Sequence, residues 1–289
     1  MSKIYDAIIV GGGPAGLSAA LYLLRAGYSV LIFFKDGGAL EKADRVDNYF
    51  GFSQPVSGME LVRNGRASAA RLGGELLESE VTRIEYDGSF LVTATAGAFR
   101  GKTLLVATGK SRNKPKIAGI EEFTGRGVSF CAVCDGFFYR GKRVGVLGSG
   151  EYAAAELSHL AHFAGELTLF LNGQPLTFSP SENVRVVPDQ IVRIDGEDRL
   201  SGLTSSEGTS YPLDGLFIAE GTAGAASFGA TLGLMMNGQD IAVSAEGETN
   251  LLGLFAAGDC TGGLLQISKA VGEGALCATA MIRRLRKNA

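Results

Sequence analysis

Two cysteines three residues apart, Cys131-Ala132-Val133-Cys134, followed at once by Asp135, carry the most reactive chemistry in this 289-residue chain. A disulfide between them closes too short a loop to add much stability, so a structural role is a poor account of the pair. Zinc would need four ligands, and Cys260 and Cys277 do not make a second close pair. His159 and His162 lie three apart and are the chain's two histidines, so no metal centre is expected. A redox dithiol suits the spacing better: one thiolate attacks a disulfide and its neighbour resolves the mixed disulfide. Asp135 either relays the proton or is a plain turn aspartate before Gly136, and the sequence leaves both open.

A second kind of chemistry is written in glycine. Gly11-x-Gly13-x-x-Gly16 follows an apolar β-branched run and precedes an apolar helical pattern. In that context the first glycine permits a tight turn, the second lets backbone approach a pyrophosphate, and the third lets helix and strand pack closely. Asp36 lies where a ribose-binding acid is expected, yet the strand itself ends in Phe33 and Phe34, so Asp36 is either that acid or a turn residue. A second turn, Gly148-x-Gly150-x-x-Ala153, recurs 137 residues after the first.

These motifs need elements to hold them. Ile4 to Val10 reads as a buried parallel strand, Pro14 to Ala26 as a helix stopped by Gly27, and Ser29 to Phe34 as the next strand. Arg143 to Leu147, Glu151 to Ala164 and Glu166 to Leu171 repeat that strand–helix–strand pattern. Leu104 to Gly109 and Leu254 to Asp259 are short apolar strands ending at small-residue corners, and a helix from about Leu265 to Lys287 follows the second. The fold class expected is α/β, with two Rossmann-like, three-layer nucleotide-binding domains, the second inserted into the first. Polar joints set the boundaries at 1–112, 113–243 and 244–289.

Composition narrows the function. Charges of 27 basic against 30 acidic residues argue against a nucleic-acid binder, and four cysteines are too few for a disulfide scaffold. Ala7 to Leu24 is uncharged, but Gly11-Gly12-Gly13-Pro14 cuts it in half, so no membrane span is expected and the expected compartment is the cytoplasm. Glycine, 42 residues of 289, is about twice its usual share, which demands many tight turns or close approaches.

Together these motifs resemble the low-molecular-weight flavin thioredoxin reductase family. The resemblance rests on Gly11-Gly12-Gly13-Pro14-Ala15-Gly16, Asp47-Asn48-Tyr49-Phe50-Gly51-Phe52, Ala107-Thr108-Gly109, Cys131-Ala132-Val133-Cys134-Asp135-Gly136, Ala256-Ala257-Gly258-Asp259, Gln266-Ile267 and Gly272-Glu273-Gly274-Ala275. It implies a homodimer with FAD in the outer domain and the dithiol on the inserted one. It implies that Cys134 faces the flavin, that Cys131 attacks thioredoxin, and that Asp135 completes the catalytic set. As FAD-binding residues it implies Gly11, Gly13, Pro14, Ala15, Gly16, Asp36, Gly38, Asn48, Val81, Ala107, Thr108, Gly109, Gly258, Asp259, Gln266 and Ile267. Phe137-Phe138-Tyr139-Arg140 resembles the segment the family presents to thioredoxin, with a core strand as its alternative.

The departures matter as much. The family's inserted domain grips NADPH with basic residues after the second glycine turn. From Val144 to Val184 this chain has no Lys or Arg, and Glu151 sits in the first turn of the helix that should receive the pyrophosphate. Glu151 either competes with that anion or turns outward. The pattern is similar to family members that take electrons from reduced ferredoxin, and Lys110, Arg112, Lys114 and Lys116 are either a docking cluster for an acidic carrier or a solvated linker. The expectation is a thioredoxin reductase fed by ferredoxin. Its rivals are a conventional NADPH enzyme, a flavin dithiol oxidase and a non-catalytic FAD-binding redox sensor. The resolving cysteine weighs against the last. The family's Gly-Gly-Gln-Leu appears as Gly37-Gly38-Ala39-Leu40, and its Arg-Gln as Leu265-Gln266.

Overall fold

The computed structural model describes residues 3–109, 117–130, 132–221, 223–238 and 240–287, without the side chains of residues 133, 134 and 226. Lys110, Arg112, Lys114, Lys116 and Cys131 therefore lie outside the described residues. The chain divides into two compact units, one made of Met1–Lys110 with Gly224–Ala289 and the other of Ser111–Ala223.

The first unit opens with β1 (Ile4–Val10), α1 (Pro14–Arg25) and β2 (Val30–Phe34), followed by α2 (Gly58–Arg71), β3 (Glu75–Glu78), β4 (Val81–Tyr86), β5 (Phe90–Ala94) and β6 (Gly97–Val106). β1 is buried from Ala7 to Val10, as strands covered on both faces are. Pro14 starts α1, where a missing amide hydrogen costs nothing. Ser57 caps α2 by accepting from the Glu60 amide at 3.1 Å.

The second unit holds α3 (Ile120–Phe123), β7 (Val128–Ser129), α4 (Ala132–Asp135), β8 (Arg143–Leu147), α5 (Glu151–Leu160), β9 (Glu166–Phe170), β10 (Val184–Val187), β11 (Ile191–Gly196), β12 (Leu200–Ser205), β13 (Ser210–Pro212) and β14 (Gly215–Ile218). Among the described residues its parallel sheet runs β10-β9-β8-β14-β7, and β11-β12-β13 form an antiparallel sheet. Phe170, Leu203 and Leu216 are fully buried in its core, with Phe123 and Tyr211 beside them.

The chain then returns to the first unit through α6 (Ala225–Leu232), β15 (Met236–Asn237), β16 (Asp240–Ile241), β17 (Leu254–Ala256) and α7 (Ile267–Lys287). The described sheet of this unit runs β3-β2-β1-β6-β5-β4, with β17 also on β6. β6 is long enough to serve two partners on that side: Gly97–Gly101 pairs antiparallel with β5, and Leu104–Val106 pairs parallel with β17. Ala270, Gly274, Cys277, Ala278 and Met281 form the buried stripe of α7, which packs on α1. The fold is thus mixed α/β, with a sheet of largely parallel strands in each unit.

Two details depart from the sequence reading. The second joint falls at Gly224 rather than near residue 243, because α6 packs on β4 and β16 on the turn at Asp259–Thr261. The helix after the second glycine turn ends at Leu160 rather than Ala164, and Gly165 then accepts a close approach by Gly141.

Candidate functional site

The first glycine turn is shaped by two packing demands and one vacancy. A Cβ on Gly11 would lie 2.1 Å from the Ala107 carbonyl oxygen, and Gly11 has φ +126°. A Cβ on Gly16 would lie 1.9 Å from the Gly11 carbonyl oxygen. Neither can be replaced without moving backbone. At Gly13 the same construction meets nothing within 4 Å. The protein's own packing does not require that glycine, so the open space beside it is fit for a ligand. Gly13 is the N-cap of α1 and offers no side-chain cap, and no acid stands in the first turn, so the leading amides face that space unneutralised.

Some of the residues singled out in the sequence meet this turn, and others meet one another. Ala107 extends β6 into the corner against Gly11, and Thr108 and Gly109 continue it half-exposed. Gly258 faces α1, where a Cβ would stand 3.1 Å from that of Ala15. Asn48 and Gln266, 218 residues apart, meet where Asn48 Nδ2 donates to Gln266 Oε1 at 3.1 Å. Ile267 is the first residue of α7. Asp36 accepts from the Gly38 amide at 2.7 Å, which gives its carboxylate a turn role. Val81 is buried at the head of β4 and pairs with Ala94.

The sequence reading missed the network that fixes the Gly258–Gly262 turn. Glu273 accepts from the Gly258 amide at 2.8 Å and from Thr261 Oγ1 at 3.2 Å. Lys269 Nζ donates to the carbonyls of Gly258 at 3.0 Å and Gly262 at 2.6 Å, and pairs with Glu273 at 3.1 Å. A cation in the first turn of a helix opposes the macrodipole, and Lys four residues before Glu is the poorer order for a helical pair. Its bonds to two carbonyls and the Thr261 hydroxyl of the turn, not helix stability, account for the placement. Cys260 and Cys277 lie buried nearby, donating to backbone carbonyls of Ala257 and Ala256, and burial pushes both thiols up to about 12.

In the second unit, Cys134 stands on the short helix α4, while its side chain and Cys131 lie outside what is described. Around that helix three groups converge. Ser129 Oγ donates to Asp135 Oδ2 at 2.7 Å, the buried Glu156 carboxylate accepts from the Ala132 amide at 2.7 Å, and Tyr152 OH donates to the Phe130 carbonyl at 3.1 Å. Two of them come from α5, so the helix of the second glycine turn also props the dithiol segment. Phe137 and Phe138 are not a core strand. They lie on a 3-10 turn, 62% and 69% exposed, while Tyr139 is buried against Phe217.

The second glycine turn differs from the first. A Cβ on Gly148 would lie 2.2 Å from the Ala219 carbonyl oxygen, so the turn itself is tight. Glu151 is exposed in the first turn of α5. The loop after β9 folds back on the turn: the Thr177 amide and hydroxyl both donate to the Ser149 carbonyl, at 3.0 and 3.1 Å. Gly150, the counterpart of Gly13, has the Thr177 hydroxyl 3.9 Å from where its Cβ would be.

Two nucleotide-type sheets, each with a glycine turn at its head, and a cysteine pair on the inserted unit define a two-domain flavin disulfide oxidoreductase. The model of the pyridine nucleotide-disulphide oxidoreductase family matches residues 5–274, and the chain belongs to that family, within its low-molecular-weight thioredoxin reductases. It is 35% identical to the thioredoxin reductase of Streptomyces coelicolor over 279 residues, covering 90% of this chain and 87% of that one. Among solved structures it is similar to the atypical thioredoxin reductase TRi from Desulfovibrio vulgaris Hildenborough, with TM-score 0.93, 39% identity and 98% of both chains covered. It is also similar to a ferredoxin-flavin thioredoxin reductase from Clostridium acetobutylicum, with TM-score 0.78, 29% identity, 99% of this chain and 100% of that chain covered. Thioredoxin reductases bind FAD, and the open space at Gly13 beneath uncapped α1 amides fits its pyrophosphate.

Proposed function

We propose that the protein reduces thioredoxin through Cys131 and Cys134, with electrons from reduced ferredoxin rather than from NADPH. The observation that supports this donor best is the state of the second glycine turn. Its loop carries no cation and is hydrogen-bonded back onto Ser149 through Thr177. The likeness to the ferredoxin-flavin enzyme points the same way.

Bound FAD supplies the chemistry of collecting two single electrons and releasing them as a pair. Gly11, Gly13, Pro14, Ala15 and Gly16 would hold its pyrophosphate at the start of α1, with Asp36, Gly38 and Val81 toward the adenosine. Ala107, Thr108, Gly109, Gly258, Asp259, Asn48, Gln266 and Ile267 would hold the ribityl and flavin parts. Cys134 is the sulfur that would face the flavin, and two-electron reduction of the Cys131–Cys134 disulfide leaves both sulfurs free. The freed Cys131 thiolate attacks the thioredoxin disulfide and forms a mixed disulfide, and Cys134 thiolate then displaces it. Two electrons and two protons leave with thioredoxin, and the enzyme disulfide is restored. Asp135, whose carboxylate accepts from Ser129 Oγ, carries a proton to or from the dithiol. Phe137 and Phe138 form the thioredoxin-facing surface, the working unit is a homodimer, and the compartment is the cytoplasm.

An anaerobic titration followed by flavin absorbance tests the donor. Reduced ferredoxin should bleach the flavin and allow thioredoxin reduction. Rapid bleaching by micromolar NADPH would return the chain to the conventional NADPH enzymes.

A further inference from the structure

The strand that should end in a ribose-binding acid ends in Phe34, and the structure places a cation over it. Arg66, on α2, lies with its guanidinium carbon 3.8 Å from the centre of the Phe34 ring. Gly65 makes this reach possible, because a Cβ there would lie 2.8 Å from Leu17 Cδ1, so α2 sits tight against α1. Arg66 Nη2 donates to the Asp36 carbonyl oxygen at 2.5 Å. It also stands 3.6 Å from the point a Gly12 Cβ would occupy. Its Nε is buried and has no hydrogen-bond partner among the described residues.

These facts put a fixed, partly desolvated guanidinium at the end of β2 and beside the first glycine turn. In dinucleotide folds that corner receives the adenosine ribose, and the turn receives the pyrophosphate. Burial lowers the Arg66 pKa while Glu78, Asp36 and Glu41 raise it, and a guanidinium keeps its charge in such a setting. Stacking on Phe34 fixes the plane, and the Asp36 carbonyl fixes one end. A planar cation held in this way suits an acceptor-rich anion better than a hydroxyl that must donate.

We propose that Arg66, on its Phe34 platform, joins the first glycine turn in binding the adenosine diphosphate half of FAD, where a carboxylate on the ribose would otherwise stand. The proposal rests on FAD being the cofactor. Lost affinity should therefore follow the adenosine diphosphate half and not the flavin ring.

The test uses the full-length chain stripped of flavin, wild type against Arg66→Met and Arg66→Lys. FAD binding is read by flavin fluorescence, and ADP is the competing probe. Arg66→Met should weaken both FAD and ADP about tenfold or more, as expected for a charge-assisted contact. Arg66→Lys should recover part of the loss. The midpoint potential of bound flavin and the melting temperature of the flavin-free chain should stay at wild-type values. FAD and ADP affinities within twofold of wild type would overturn the proposal. So would weaker FAD binding with unchanged ADP competition, or a lowered melting temperature that accounts for the loss. A wild-type chain that takes up no FAD overturns the cofactor assignment itself, and that result appears before any variant is compared.

Discussion

Asn172 joins the ends of two strands in the inserted unit: its Nδ2 donates to Glu220 Oε1 at 2.6 Å while its Oδ1 accepts from the Ile191 amide at 2.9 Å. It does so from a left-handed backbone, φ 52°, which asparagine tolerates better than most residues. An amide side chain can donate to a carboxylate and accept from an N–H at once. An aspartate lacks the donor, and an arginine lacks the acceptor. The loop that should grip a 2′-phosphate is therefore built around a different set of bonds, not merely stripped of its cations.

Glu220 makes this junction sensitive to pH. Burial raises its carboxyl pKa, and the hydrogen bond from Asn172 only partly opposes that. A carboxyl whose pKa is raised in the folded state favours folding below its unfolded value, and that contribution is lost as pH rises through the folded value. Glu220→Gln keeps the acceptor for Asn172 and removes the titration. Its melting temperature relative to wild type should climb as pH is raised from about 4 to 8, the range spanning the ordinary carboxylate pKa and above. A difference that is flat with pH would show that Glu220 does not titrate this way.

The glycines of the first turn should separate fold from binding. Gly16→Ala drives a Cβ against the Gly11 carbonyl and should destabilise by about 1–3 kcal/mol or more. Gly13→Ala meets no protein atom, so the flavin-free chain should melt as wild type does. Its FAD affinity should fall, because the methyl projects into the space left for the pyrophosphate. Urea unfolding of the flavin-free chain, paired with FAD titration, reads the two effects apart.

These glycines were legible because their constraint is on the backbone, where few residue types qualify. The paired strand–turn–helix units were legible for the same reason: spacing alone limits what they can be. Lys269, Glu273 and Glu156 were not. A lysine or glutamate on a helix usually faces water, and nothing in the spacing announces that Glu156 is buried under the Ala132 amide or that Lys269 reaches three residues of a distant turn. The joint at Gly224 was hidden because no change in composition marks it. The core-strand alternative for Phe137–Phe138 could not be excluded from sequence, and the turn geometry excludes it.

The Lys269–Glu273 pair should hold the turn that carries Asp259. Glu273→Ala leaves the Gly258 amide without its acceptor and the Lys269 ammonium without its counter-charge. A loss of about 2–4 kcal/mol is expected, since removing one partner of a mostly buried pair costs more than the pair contributes. Lys269→Met should cost less, because the carbonyls it leaves can take up water. A double-mutant cycle by chemical denaturation should show coupling between the two; additive losses would mean that each acts alone.

The four cysteines should divide cleanly by reactivity. Cys260 and Cys277 are buried, and their thiols are pushed up to about 12, so neither forms thiolate at neutral pH. Alkylation of the native, reduced chain should label Cys131 and Cys134 within minutes and spare the other two. After denaturation all four should react. Labelling of Cys260 at a rate comparable to Cys134 in the native protein would contradict its burial beneath the Gly258 turn.

Phe137 and Phe138 offer the most direct test of the proposed substrate surface. Both rings stand exposed on a turn anchored from below by Tyr139, and the Arg140 guanidinium lies 5.4 Å from the Phe137 ring. An exposed aromatic pair beside a cation, next to a reactive dithiol, has the composition of an interface centre. Replacing both rings with alanine exposes no core, so the fold should hold. With thioredoxin as substrate, the double variant should raise KM about tenfold or more, the usual effect of removing a central aromatic contact. Reduction of a small disulfide such as 5,5′-dithiobis(2-nitrobenzoic acid) should be unchanged, because it needs the dithiol but not the surface. Equal loss with both substrates would place the two rings in support of the dithiol helix rather than in contact with thioredoxin.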